Sequence, residues 1–145
     1  VLTAKQIKSA QDITTEKVMT PEWRSIGMAV EEAFVFVRAW TSGERDNFEA
    51  SLVQAKKKGA KVNLENMRAK AVAQGAVDEN GGRLFKESDI EWLGTKSAAP
   101  IDRIFSVIQR LSGMSDQDVE EIAKNLESIP ADASTSDSPS SADAQ

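Results

Sequence analysis

The chain contains no cysteine, no histidine and no tyrosine. Without a thiol or an imidazole it cannot carry a thiolate or histidine nucleophile, a Cys/His zinc site, a disulfide scaffold or a histidine pH switch. No run of about 18 apolar residues occurs, so no segment reads as a membrane-spanning helix. The residues Val1 to Lys5 lack the charged start, apolar core and cleavage site of a secretory leader, and none is expected. The formal charge of −5 provides no basic field, which argues against a nucleic-acid partner. No glycine-rich phosphate loop precedes a helix, and no Gly-x-Ser-x-Gly elbow is present. The expectation is a protein that is not an enzyme, has no catalytic, metal or cofactor-binding residues, and touches neither nucleic acid nor membrane.

What remains is ordinary material for a globular fold. Of 145 residues, 40% are hydrophobic and 28% charged. A single domain of this size buries roughly two-thirds of its unfolded surface and holds together without metal or disulfide. From Pro130 to Gln145 the composition changes to Ser, Ala, Asp, Thr and Pro, and residues 131–145 contain no Val, Ile, Leu, aromatic, Lys or Arg. Such a segment cannot bury enough apolar area to offset the entropy of ordering. Residues 1–129 are therefore expected to form one mainly helical domain with an N-terminal hairpin, and residues 130–145 a disordered acidic tail carrying Asp132, Asp137 and Asp143.

Four helical patterns stand out. Ser42 is placed to cap the first, with Glu44 in its first turn, Phe48, Leu52 and Ala55 on one face, and Lys56 to Lys58 and Gly59 at its end. The second follows Asn63, with Leu64, Met67, Ala71 and Val72 as its stripe and Gly75 near its end. The third has Ile101, Ile104, Phe105, Ile108 and Leu111 at helical spacing, Ser97 as cap and Pro100 in the first turn, where no donated N–H is needed. The fourth opens on Ser115 to Asp118, close to a capping box, and aligns Val119, Ile122 and Leu126. A shorter helix is expected from Glu87 to Leu93, with Ser88 as cap and Gly94 as stop.

Residues Thr14–Thr20 and Ala33–Ala39 are dense in β-branched and aromatic residues and read as strands. Ile26, Val30, Phe34 and Val37 also fit helical spacing, so periodicity leaves 24–39 open between strand and helix. The fold class expected is α+β, mostly α, with a small N-terminal β-hairpin packed on a bundle of four to five helices.

The polar clusters have plain explanations. Asp78-Glu79-Asn80-Gly81-Gly82 resembles the start of a calcium loop, but Gly82 would fall at a liganding position and Arg83 at the obligatory glycine. A tight turn is the better reading. Lys56, Lys57, Lys58 and Lys61 suit a helix C-terminus without interleaved aromatics for single-strand binding. The adjacent carboxylates Glu31-Glu32, Asp78-Glu79 and Glu120-Glu121 do not converge if helical. Of the three tryptophans, Trp92 sits between Ile90 and Leu93 and reads as core, whereas Trp23 and Trp40 fit core or partner surface equally.

Four stretches together resemble the tail assembly chaperones of long-tailed bacteriophages and prophages. They are Thr20-Pro21-Glu22-Trp23, Thr41 to Glu49 (TSGERDNFE), Asp78 to Phe85 (DENGGRLF) and Leu93 to Phe105 (LGTKSAAPIDRIF). The resemblance runs in the family's order from about Thr14 to Asn125. Relative to the family, Arg24 to Glu32 reads as an insertion, and Pro100 stands where Ala is usual. The resemblance implies a non-enzymatic factor in the host cytoplasm that binds and solubilises the tape measure protein, a long helical rod with apolar stripes. It implies recruitment of the major tail tube protein through a longer frameshifted form, and absence from the mature virion. A homo-oligomer is left open. The alternative is a structural virion subunit, such as a tail-terminator or head–tail connector protein. A chaperone for such a rod needs apolar surface of its own. With the Ile101–Leu111 stripe assigned to the core, the partner contact is expected at Trp23, Phe36 and Trp40.

Overall fold

A computed structural model describes residues 1–57 and 64–115, together with 117, 118, 120, 121 and 124. Lys58, Gly59 and Lys61, the Val119, Ile122 and Leu126 stripe, the boundary at 129 and the acidic tail lie outside the described residues.

The N-terminal hairpin forms where β-branched and aromatic residues are densest. Strand β1 (Thr15–Met19) pairs antiparallel with β2 (Phe34–Arg38), setting Val18 opposite Val35 and Glu16 opposite Val37. The helical alternative through Ile26 and Val30 is not taken up. Gly27 has a φ of 86°, outside helical geometry, and Val30–Glu32 makes only a single 3-10 turn. The period of two then sorts β2: Val35 and Val37 face inward with Val18, while Phe34 and Phe36 lie on the opposite face. A two-residue strand, β3 (Ala76–Val77), adds to the far side of β2, giving the order β1-β2-β3. Two residues are too few to carry a period, so no sequence pattern points to β3.

β1 is thus an edge. Its even-numbered positions bond to β2, with Thr20 N donating to Ala33 O and Ala39 N donating to Thr14 O at either end. Thr15, Lys17 and Met19 turn their backbone groups outward.

The helices follow the sequence patterns. Helix α2 spans Ser42–Lys57, α3 Leu64–Gly75 and α5 Ala98–Leu111. The cap of α2 is a correction: Thr41 rather than Ser42 fills the role. Its Oγ1 accepts from Glu44 N at 3.1 Å, and Glu44 Oε1 accepts from Thr41 N at 2.8 Å, a reciprocal capping box. The expected Glu87–Leu93 helix is a 3-10 turn, Glu87–Asp89, running into α4 (Ile90–Leu93) and ending at Gly94. Ser88 does not cap it; Asp89 Oδ2 accepts from Lys86 N at 2.7 Å. Ser97 occupies the N-cap position of α5 without a side-chain cap bond. At the opening of the fourth pattern, Ser115 and Asp118 form the reciprocal bonds of a capping box. One further helix was not foreseen: α1 (Ala4–Ser9), closed by a Thr3/Gln6 capping box, buries no residue.

The core lies between the sheet and the helices. Helix α5 packs on β1, β2 and α3, and α2 and α4 pack on α3. Val18 and Val37 from the sheet meet Ile101, Ile104, Phe105 and Ile108 from α5 and Met67, Ala71 and Val72 from α3. Gly75, at the junction of α3 and β3, marks the tightest approach. A Cβ there would stand 2.5 Å from Ile108 Cδ1 and 3.3 Å from Trp40 Nε1.

Polar contacts tie the connections to this core. Arg83 donates to Ala73 O through two nitrogens, at 3.2 and 3.1 Å. Arg38 pairs with Glu44 across the β2–α2 junction. Burial pushes the Glu44 carboxyl up, but hydrogen bonds from Arg38 and from the Thr41 backbone outweigh it and leave it below its ordinary value. Arg103, on α5, donates to Met19 O at 2.9 Å and to both oxygens of Glu22 at 3.0 and 2.7 Å, fixing the exit of β1 against the helix.

The Arg103 hydrogen bonds, aided by a backbone N–H and opposed by slight desolvation, bring the Glu22 carboxyl down from 4.5 to about 2. A carboxyl depressed on folding stabilises the fold fully above its unfolded value and loses that contribution as pH falls towards its folded value. The difference in melting temperature between wild type and Glu22→Gln should therefore be largest above 4.5 and close as pH approaches about 2. Thermal melts across that range check this, and a difference constant with pH would show that the ionised pair does not stabilise the fold.

Candidate functional site

The three residues expected at the partner contact are not brought together. Trp40 is core: it is 6% exposed, and its ring lies 4.9 Å from that of Phe48. Its backbone N donates to Ser112 Oγ at 2.9 Å, joining the end of β2 to the end of α5. The assignment of Trp40 to a partner surface is corrected, because the turn from β2 into α2 directs the ring inward beneath α2, against Phe48. Phe36 lies on the outer face of β2, beside Phe34, with ring centroids 5.4 Å apart. Lys17 extends over the Phe34 ring at 4.3 Å, covering part of that face. Trp23 stands elsewhere, in the 3-10 turn Pro21–Trp23, partly buried against the core.

Trp23 does belong to an apolar cleft, in other company. It lines a cleft of about 420 Å³ together with Glu22, Arg24, Phe85, Trp92, Leu93 and Lys96. Each wall has a local cause. Pro21 sets the first turn of the 3-10 segment that presents Trp23. Phe85 follows the turn in which Asp78 Oδ1 accepts from Asn80 N and Gly82 N, and Gly81 takes a φ of 87°. This turn holds the residues that resembled a calcium loop, with Asp78 bonding backbone N–H groups. α4 supplies Trp92 and Leu93, and Lys96 follows in the link to α5.

Trp92 departs from expectation. Its place between Ile90 and Leu93 predicts a core residue, yet it is 43% exposed. Its ring meets Phe85 edge to face at 5.9 Å, and its Nε1 donates to Asp89 Oδ1 at 2.9 Å. The four-residue α4 explains this. Leu93 takes the inward position, and in so short a helix the adjacent residue points about 100° away. The Trp92 indole N–H being satisfied locally, the ring is left as an apolar surface. Hydrogen bonds from the Lys86 backbone and from Trp92 hold Asp89 below its ordinary carboxyl range. The Trp23 Nε1 is buried and has no hydrogen-bond partner among the described residues.

The sequence signal for this cleft was present but divided. Glu22-Trp23, Phe85 and Leu93 to Lys96 are far apart in the chain, and no periodicity links them. Compared with family models, with curated proteins and with solved structures, the chain matches none.

The opposite positions of Trp40 and Trp92 predict opposite behaviour. Trp40→Ala should cost about 3–5 kcal/mol, as for a large aromatic removed from a packed core. Trp92→Ala should cost on the order of 1 kcal/mol, the worth of an aromatic pair at a surface. Denaturant unfolding of the two variants checks the ranking, and similar losses in both would place Trp92 in the core.

Proposed function

We propose that this protein is a tail assembly chaperone of a long-tailed bacteriophage or prophage, and that its Trp23–Phe85–Trp92 cleft contacts the tape measure protein. The observation that carries this reading is a convergence. Three of the four stretches that resemble the chaperone family supply walls of one cleft: Glu22 and Trp23, then Phe85, then Leu93 and Lys96. Arg103 in the third of these also grips Glu22 in the first. Exposed aromatic surface is what an apolar-striped helix needs from a partner, since burial of such stripes drives helix-in-groove association. Trp is moreover among the residues most enriched at binding hot spots.

In this reading the protein works without catalysis in the host cytoplasm. It shields the rod until tail tube subunits, recruited through a longer frameshifted form, enclose it, and it leaves before the virion is complete. A second reading, a ring-forming virion subunit, is favoured by one feature: α1 exposes Ile7, with Leu2 before it and Ile13 after it, as an arm suited to a neighbouring copy. Mass spectrometry of purified particles separates the two, since only the virion subunit stays in them.

Co-expression with the tape measure protein of the same phage or prophage tests the main reading. Trp92→Ala should reduce the soluble, co-purifying tape measure protein several-fold while the chaperone itself stays folded. Wild-type protein that captures none would overturn the function. Normal capture by Trp92→Ala would place the contact outside the cleft.

A further inference from the structure

The charges around the cleft restrict what it can accept. Three charged side chains line it, and they are not equivalent. Glu22 is neutralised by the two-point bond from Arg103. Asp89 is not part of the lining, and it has both oxygens engaged, one by the Trp92 indole and one by the Lys86 backbone. Arg24 and Lys96 are different. Both are exposed lining residues; Arg24 has no ion-pair partner among the described residues, and the contact of Lys96 is with the Trp92 ring, at 6.0 Å. An apolar cleft with uncompensated cations at its margin is complementary to an apolar side chain flanked by carboxylates.

We propose that the cleft selects a partner segment in which a large apolar anchor is flanked by acidic residues. The proposal rests on the cleft being the partner site and adds the chemistry of the segment it takes. The same charges argue against the chain's own arm, docked from a second copy, as occupant. Lys5 and Lys8 lie in α1 on either side of Ile7, and docking Ile7 would bring them towards Arg24 and Lys96.

The test uses the full chain and two fluorescein-labelled synthetic peptides with the same Leu and Phe anchors, flanked by Glu in one and by Lys in the other. Fluorescence anisotropy at low salt should show the Glu-flanked peptide binding about tenfold more tightly, the sum of two exposed charge pairs, with the preference shrinking as salt is raised. The double variant R24E/K96E should reverse the preference, and both sites are exposed, so the fold is retained. K5E/K8E should leave it unchanged. Equal binding of the two peptides, no binding of either, or a preference that survives R24E/K96E would overturn the proposal. The tape measure co-expression distinguishes this failure from failure of the function. If Trp92→Ala impairs capture while R24E/K96E captures normally, the cleft is the contact but does not select by charge. If neither variant impairs capture, the cleft is not the contact.

Discussion

Ile104 and Ile108 of α5 are both 0% exposed, and the sheet and α3 are arranged around the stripe they belong to. On one side the stripe meets Val18 and Val37 of the sheet; on another it meets α3. Each fully buried aliphatic side chain contributes roughly 1.5–3 kcal/mol relative to exposure, so this one helix accounts for a large share of what opposes chain entropy. The hairpin depends on it as well. Two or three short strands are marginal alone and need a packed face, which α5 provides through apolar contact, through Arg103 at the exit of β1 and through Arg110, whose Nη2 reaches Glu16 Oε2 at 2.6 Å.

Legibility followed the length and period of each element. The α5 stripe was legible from its helical spacing over eleven positions, and Ile101, Ile104, Phe105 and Ile108 are buried as that spacing requires, while Leu111, in the last turn, is only half-buried and outside the core. The strands were legible by composition: Val35 and Val37 alternate with Phe34 and Phe36, and only pairing with β1 decides which set faces inward. Caps were legible as motifs but misplaced by one residue at Thr41, since Thr41 and Ser42 are both good caps and Glu44 stands three residues from only the first. α1, β3 and the 3-10 turns Pro21–Trp23 and Val30–Glu32 were not legible, because they are shorter than the windows in which a period can be recognised; the turn Glu87–Asp89 and α4 fall inside the short helix expected at Glu87–Leu93.

The cleft was legible in its parts and hidden as a whole. Trp23, Phe85 and Trp92 each appear as unremarkable aromatics beside turn residues, and their meeting depends on how three loops are pinned. Pro21 and the Arg103–Glu22 bond fix the first loop, Asp78 the second and the brevity of α4 the third. The swap between the tryptophans has the same origin. Local sequence places Trp92 among apolar neighbours and Trp40 at a junction, while tertiary packing encloses Trp40 above Gly75 and leaves Trp92 half open.

The outward edge of β1 has a consequence for life at high concentration. An unpaired strand edge invites the addition of further strands, and a sheet that ends in one is a seed for polymerisation. Here the invitation is withdrawn at two places. The Met19 carbonyl is occupied by Arg103. Lys17, in the middle of the edge, would face its own counterpart if two copies joined antiparallel about that residue, setting ammonium against ammonium. One lysine and one occupied carbonyl thus guard this edge against the strand-by-strand growth of fibres between copies of the chain.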